Sequence, residues 1–182
     1  TDRAIRKSIE AGVKTIEHGY FASDETLKLM AKKGIWIVPQ PFFEGDLVFP
    51  DADRTNKYNQ VVANTDRVYK NAKEFRVNIG FGTDLLFNPP SENQGEQLAR
   101  LAKWFSPYEA LKIATSENAK LMELSGPRHP YQQGPLGVIK EGAYADILLV
   151  DGNPLEDLAL VADPEKNFVV IMKDGKIYKN TL

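Results

Sequence analysis

VKTIEHGYFASDETLKLMAKKGIWIV, residues 13–38, contains one complete strand-helix-strand repeat of this chain. Val13 to Ile16 is short and rich in β-branched residues, and reads as a strand that ends at His18. Ser23 then caps a helix with Asp24 and Glu25 in its first turn and Leu27, Met30 and Ala31 at i, i+3 and i+4, closed by Gly34. Ile35-Trp36-Ile37-Val38 is a continuous apolar run stopped by Pro39, the pattern of a strand covered on both faces. Strands separated by a helix imply a parallel sheet, whose ligands gather beyond the carboxyl ends of the strands.

Working outward, the pattern repeats. Upstream, Thr1-Asp2-Arg3 leads straight into a helical stretch with Ile5 and Ile9 and a stop at Gly12; with no strand before it, the chain is expected to begin mid-architecture. Downstream, a loop rich in Pro, Asp and Phe runs to about Arg54. A helix follows from about Thr55 to Phe75, with Tyr58, Val61, Val62, Thr65, Tyr69 and Ala72 on one side. Asn78-Ile79-Gly80-Phe81-Gly82 reads as a third strand, whose glycines permit close approach of backbone or ligand. Beyond Pro89-Pro90, Leu98, Leu101, Ala102 and Phe105 mark a helix, and Ser106-Pro107-Tyr108-Glu109 fits a capping box with proline at the first helical position.

From about Leu124 the pattern changes. Gly126-Pro127, His129-Pro130 and Gly134-Pro135 interrupt the chain. Val138-Ile139, Ile147 to Val150 and Phe168 to Met172 then read as short strands, with an Asp174-Gly175 hairpin turn before Lys176-Ile177-Tyr178. The expected organisation is α/β over residues 1–125 and a small β segment over 126–182.

Composition narrows the function classes. Of the 182 residues, 42% are hydrophobic, enough for a real core, and 23 basic against 25 acidic residues leave a net charge of −2. Nothing in that balance, and no Lys/Arg run, suggests nucleic acid or a membrane surface as a partner. The absence of cysteine excludes disulfides and thiolate ligands, and is compatible with a cytoplasmic, periplasmic or secreted location.

Two side chains sit where the expected sheet presents chemistry: His18 and Asp84, each at a strand's carboxyl end. A metal held by such groups needs three or four ligands. The chain's other histidine is His129, which reads as a solvated loop residue. Taken alone, His18 at a strand end is more often a hydrogen-bonded structural histidine than a ligand, and Asp84 more often a loop or cap carboxylate. Tyr20 and Gln40 are the candidates for contact with substrate. Phe42 and Phe43 either line a pocket or cover the mouth of the fold, and Trp36 and Trp104 read as core aromatics.

In order along the chain, Ala11-Gly12-Val13, Ile16-Glu17-His18-Gly19, Leu29-Met30-Ala31, Phe81-Gly82-Thr83-Asp84, Ser106-Pro107 with Glu109-Ala110-Leu111, and Ala114-Thr115 with Asn118-Ala119 resemble the second half of the amidohydrolase superfamily. The branch most resembled is that of imidazolonepropionases and prolidase-like dipeptidases. Gly137-Val138-Ile139, Glu141-Gly142, Ala145-Asp146-Ile147, Gly152-Asn153-Pro154 and Lys173-Asp174-Gly175 resemble the segment that completes that family's small β-sandwich.

The resemblance implies strands six to eight of a (β/α)8 TIM-type barrel followed by part of a composite sandwich. It implies a hydrolase of amide C–N bonds in a dipeptide, an N-acyl amino acid or a cyclic amide, acting through water activated by Zn²⁺ or another divalent metal, one or two ions in the complete protein. His18 matches the strand-six histidine, which ligates the second metal of binuclear members or orients the hydrolytic water in mononuclear ones, and Asp84 the strand-eight metal ligand and general base, the two facing one cavity. The family's other ligands, a His-x-His, a carboxylated Lys and a further His, have no counterpart here, so the chain alone is expected to be inactive. Its expected partner is the missing N-terminal half of the barrel, or further copies of itself. Two positions depart from the pattern: Glu92-Asn93-Gln94-Gly95 stands where many relatives place a His, and Pro39-Gln40 where many have Pro-Thr. The alternatives are a non-catalytic half-barrel module, or a metal-free α/β ligand-binding domain, disfavoured by the β-rich tail and the lack of a G-x-G-x-x-G loop.

Overall fold

The apolar run before Pro39 forms the middle of a parallel sheet. The structure, a computed structural model, describes residues 1–47, 49–85 and 94–182, and these divide into two compact units, Thr1–Gly82 and Thr83–Leu182. In the first, β1 (Thr15–Glu17), β2 (Trp36–Val38) and β3 (Asn78–Ile79) lie side by side in sequence order, with Ile16 opposite Ile37 and Ile37 opposite Ile79. All three residues of β2 are buried, as expected of a strand covered on both faces. The third strand is shorter than its sequence suggests, since regular pairing stops at Ile79 and only Gly80 N–H, donating to Ile37 O at 2.9 Å, extends it.

The helices form for the reasons legible in their sequences. Helix α1 (Asp2–Glu10) is capped by Thr1 and buries Ile5 and Ile9, one turn apart. Helix α2 (Asp24–Lys33) begins at Ser23, whose hydroxyl accepts from Thr26 N–H. It ends at Gly34 in the left-handed conformation (φ 65°). Helix α3 (Ala52–Glu74) starts earlier than its apolar pattern indicates, because Asp51 accepts from Arg54 N–H and caps it. It buries Tyr58, Thr65, Val68, Tyr69 and Ala72. Leu27, Met30, Ile37 and Val68 are fully buried in this core, each contributing about 1.5–3 kcal/mol.

In the second unit, α4 (Gln94–Ala99) leads into a 3₁₀ turn (Arg100–Lys103). Next comes α5 (Pro107–Lys112), opened by the expected capping box: Glu109 accepts from Ser106 N–H at 2.8 Å while Ser106 Oγ accepts from Glu109 N–H. A π-helical turn (Ile113–Glu117) joins it to α6 (Asn118–Glu123). Gly95 packs its backbone on a later 3₁₀ helix (Leu158–Ala162), where a Cβ would lie 2.0 Å from Val161 O. Glu92 and Asn93, like the Pro89-Pro90 loop, lie outside the described residues.

The tail forms an antiparallel sheet in the order β4 (Ile147–Val150), β5 (Phe168–Lys173), β6 (Lys176–Asn180), with α7 (Pro164–Asn167) leading into β5. Asp174 (φ 48°) and Gly175 (φ 75°) make its hairpin turn. Val138-Ile139 is not a strand. Gly137 is left-handed (φ 65°) and docks its backbone on the π turn, where a Cβ would lie 2.5 Å from Thr115 C, and Ile139 projects 95% exposed. His129 is likewise not solvated: it is only 9% exposed and meets the Tyr131 ring edge-on at 5.7 Å between centroids. Its N–H donates to Gly126 O, folding the loop back over it. Trp36 and Trp104 are core residues, as expected. Among the described residues no helix is long and apolar enough to cross a membrane.

Asp2 ties α1 to the start of α2. Desolvation pushes its carboxyl up, but hydrogen bonds from Ser23 N–H (2.7 Å), Thr26, Arg6 and the Ser23 hydroxyl outweigh that and hold it well below the usual carboxylate range. A carboxylate whose pKa is depressed on folding adds stability above its unfolded pKa of about 4 and loses it as pH falls toward the folded value. Urea unfolding of wild type and Asp2→Asn is therefore expected to show a constant stability gap from about pH 5 to 8 that closes below about pH 4. A gap independent of pH down to the acid limit would contradict this.

Candidate functional site

The chain leaves β1 through two successive left-handed residues, His18 (φ 64°) and Gly19 (φ 68°). The ladder still reaches this turn, because His18 N–H donates to Val38 O at 3.0 Å. Gly19 lies against the central strand: a Cβ there would stand 2.8 Å from Ile37 Cδ1 and 3.1 Å from Cγ1. A left-handed backbone costs an ordinary residue about 1–2 kcal/mol. That His18 carries this cost at a strand end is the kind of strain found where a side chain must be aimed.

The His18 ring is held from behind. Nδ1 lies 2.6 Å from Gln40 Oε1, and Gln40 Nε2 donates to Val38 O at 3.2 Å. Tyr20 completes the group: its hydroxyl accepts from Gln40 N–H at 2.9 Å and lies 2.9 Å from Gln40 Oε1 and 3.1 Å from Gln40 O. Tyr20 and Gln40 are each only 4% exposed. Both substrate-contact candidates thus have their polar atoms engaged by the protein. Gly82 closes the far side, its missing Cβ 3.6 Å from Gln40 Nε2 and 3.1 Å from Val38 Cγ1, so this glycine provides the close approach anticipated for it.

The surrounding loops are pinned by α3. Arg67 donates to Tyr20 O at 3.0 Å and Ala22 O at 2.8 Å and pairs with Asp24 at 3.3 Å, fixing the segment that follows His18. Tyr58 donates to Phe43 O at 2.8 Å and Tyr69 to Pro39 O at 2.7 Å, fixing the segment that follows β2. Burial, and secondarily the neighbouring Tyr20, pushes the Tyr69 hydroxyl well above its usual pKa, so it remains a donor. Sequence reasoning missed Arg67: on the helix it is one of several charged residues, and its carbonyl partners are set only by the fold. Beside His18 opens a cleft of about 380 Å³, lined by Ile5, Phe21, Phe42, Tyr58 and Val61 together with the Tyr20 ring. Phe42 is therefore a pocket residue.

Asp84 lies in the second unit, two residues past Gly82, and is also left-handed (φ 51°). Of four described non-glycine residues with positive φ, Arg76 follows the end of α3 and Asp174 sits in the hairpin turn; His18 and Asp84 are the other two. Among the described residues no three His, Asp, Glu or Cys side chains form a group that could hold a metal ion.

The first unit is thus a parallel sheet with successive strands adjacent and a left-handed histidine directly after its first strand. The amidohydrolase family matches residues 1–179, and the chain belongs to that family. It is 31% identical over 180 residues to ochratoxinase of Aspergillus niger, covering 96% of this chain and 36% of that protein. A prolidase solved with N-methylphosphonate-L-proline is similar at a TM-score of 0.85 and 31% identity, over 100% of this chain and 44% of that one. A Xaa-Pro dipeptidase with methionine bound in its active site gives 0.81 and 29%, over 98% and 43%. The chain therefore spans well under half the length of these relatives.

The left-handed turn supplies a direct test. Gly34 has the same backbone sign but open space where a Cβ would stand, whereas Gly19 faces Ile37. Each Gly→Ala change is expected to cost about 1–2 kcal/mol for the backbone alone, and Gly19→Ala to cost more than Gly34→Ala. Denaturant unfolding of the pair measures the difference, and equal losses would contradict the packing argument.

Proposed function

We propose that this chain carries part of the active site of a metal-dependent amide hydrolase, contributing strands six to eight of a (β/α)8 barrel over residues 1–125 and part of a composite β-sandwich over 126–182. The observation that carries the reading is that His18 and Asp84, the two positions marked by the family pattern, both hold a left-handed backbone, His18 in the turn that directly follows β1. The sequence-ordered sheet supports it as well, since a barrel adds strands in one direction whereas a doubly wound sheet reverses. The relatives extend the reading to substrates: a prolidase, a Xaa-Pro dipeptidase and ochratoxinase point to a small amide or dipeptide.

The donor types suit a divalent ion such as Zn²⁺: an imidazole nitrogen from His18 and a carboxylate from Asp84. Two ligands are too few, and the remainder are proposed to come from the part of the relatives' length that this chain does not span. When bound, such an ion supplies Lewis acidity toward the amide carbonyl and lowers the pKa of water. Asp84 takes a proton from the attacking water and returns it to the leaving amine nitrogen. The apolar cleft beside His18 receives the uncharged part of the substrate and keeps bulk water from it.

In the assembled protein, Asp84→Asn is expected to lower kcat on an Xaa-Pro dipeptide or N-acyl amino acid by about 10²–10⁴-fold, and a chelator to abolish turnover. The 182-residue chain alone is expected to bind Zn²⁺ weakly and to show no enzymatic turnover. Metal-dependent dipeptidase activity by that chain alone would show the ligands to be misassigned.

The tail sheet leaves Leu148, Leu149, Ile177 and Tyr178 exposed, apolar area suited to cover by a second copy or by the part of the relatives' length that this chain does not span. Light scattering of the isolated chain is expected to report association above a mass of 20.4 kDa. A monodisperse monomer that binds no apolar dye would contradict that expectation.

A further inference from the structure

We infer that Gln40 is a positioning residue that selects the tautomer of His18, rather than a group that contacts substrate; the inference rests on the metal-ligand reading of His18. The amide of Gln40 has one tenable orientation. With Nε2 donating to Val38 O, Oε1 faces both His18 Nδ1 and the Tyr20 hydroxyl. Rotating the amide by half a turn would set Oε1 against the Val38 carbonyl, two acceptors facing each other, and would remove the acceptor from His18. An acceptor 2.6 Å from Nδ1 requires the proton on that nitrogen. The lone pair is then on Nε2, the form in which an imidazole ligates a metal or accepts a proton.

The rest of the cluster keeps the amide in place. Gln40 N–H donates to the Tyr20 hydroxyl, Gly82 packs against Nε2, and the side chain is nearly sealed from solvent. Tyr20 is in turn held through its carbonyl by Arg67. An outer-shell partner of this kind typically changes metal affinity by about 10–100-fold when lost.

Long-range ¹H–¹⁵N NMR on metal-free, ¹⁵N-histidine-labelled assembled protein reads the tautomer directly, with the His18 signals assigned by their loss in His18→Asn. The wild type is expected to show a protonated, pyrrole-type Nδ1 and a pyridine-type Nε2. Gln40→Met, of equal length but without an acceptor, is expected to move the proton to Nε2 and to weaken Zn²⁺ binding about 10–100-fold by calorimetry. A folded Gln40→Met protein with Nδ1 still protonated overturns the inference. Should Gln40→Met not fold, the wild-type spectrum decides, since a pyrrole-type Nε2 there overturns it equally. The underlying reading fails separately, by unchanged Zn²⁺ affinity in His18→Asn.

Discussion

The carbonyl oxygen of Val38 accepts two hydrogen bonds, one from the backbone of His18 and one from the side chain of Gln40. A carbonyl has two lone pairs, and here both are committed at the carboxyl end of the central strand. The first bond carries the parallel ladder one residue beyond β1 and so fixes where the His18 backbone stands. The second orients the amide that meets the His18 ring. Backbone and side chain of the candidate ligand are thus referred to a single atom of the most buried strand. Displacement of that strand would move both together, which ties the geometry of the site to the packing of Ile37, Leu27 and Val68.

The parts of the fold that could be read in advance are those decided by neighbours in the chain. Ser23 with Gly34, the Ser106–Glu109 box, Asp174-Gly175 and the apolar run before Pro39 each contain their own physical reason. What could not be read depended on contacts between distant residues. Val138-Ile139 has the composition of a strand, yet Gly137 must fit against the Thr115 backbone and carries the dipeptide out to solvent. Ile113–Glu117 is indistinguishable by periodicity from ordinary helix, although it forms a π turn. His129 lies among prolines and glycines, which signal a loop without saying which side of it faces inward.

The candidate site divides along the same line. His18 and Asp84 could be named as candidates because the ordered motifs around them are specific. The role of Gln40 could not be read, because a glutamine after a proline carries no signal of where its amide points, and its three partners come from Val38, His18 and Tyr20. Arg67 is the extreme case. It reaches two carbonyls more than forty residues away in sequence, which only the packing of α3 beside α2 brings within range.

The order of the first sheet also bears on how the chain acquires it. Each strand pairs with the one made just before it, and each pairing closes only the loop of one intervening helix. Loop-closure entropy rises slowly with length, so such a sheet is among the less demanding parallel arrangements to nucleate. A nascent chain emerging from the ribosome can therefore lay down β1, α2 and β2 before α3 is synthesised. The histidine turn and the strand that supports it then come into register ahead of the segment bearing Asp84.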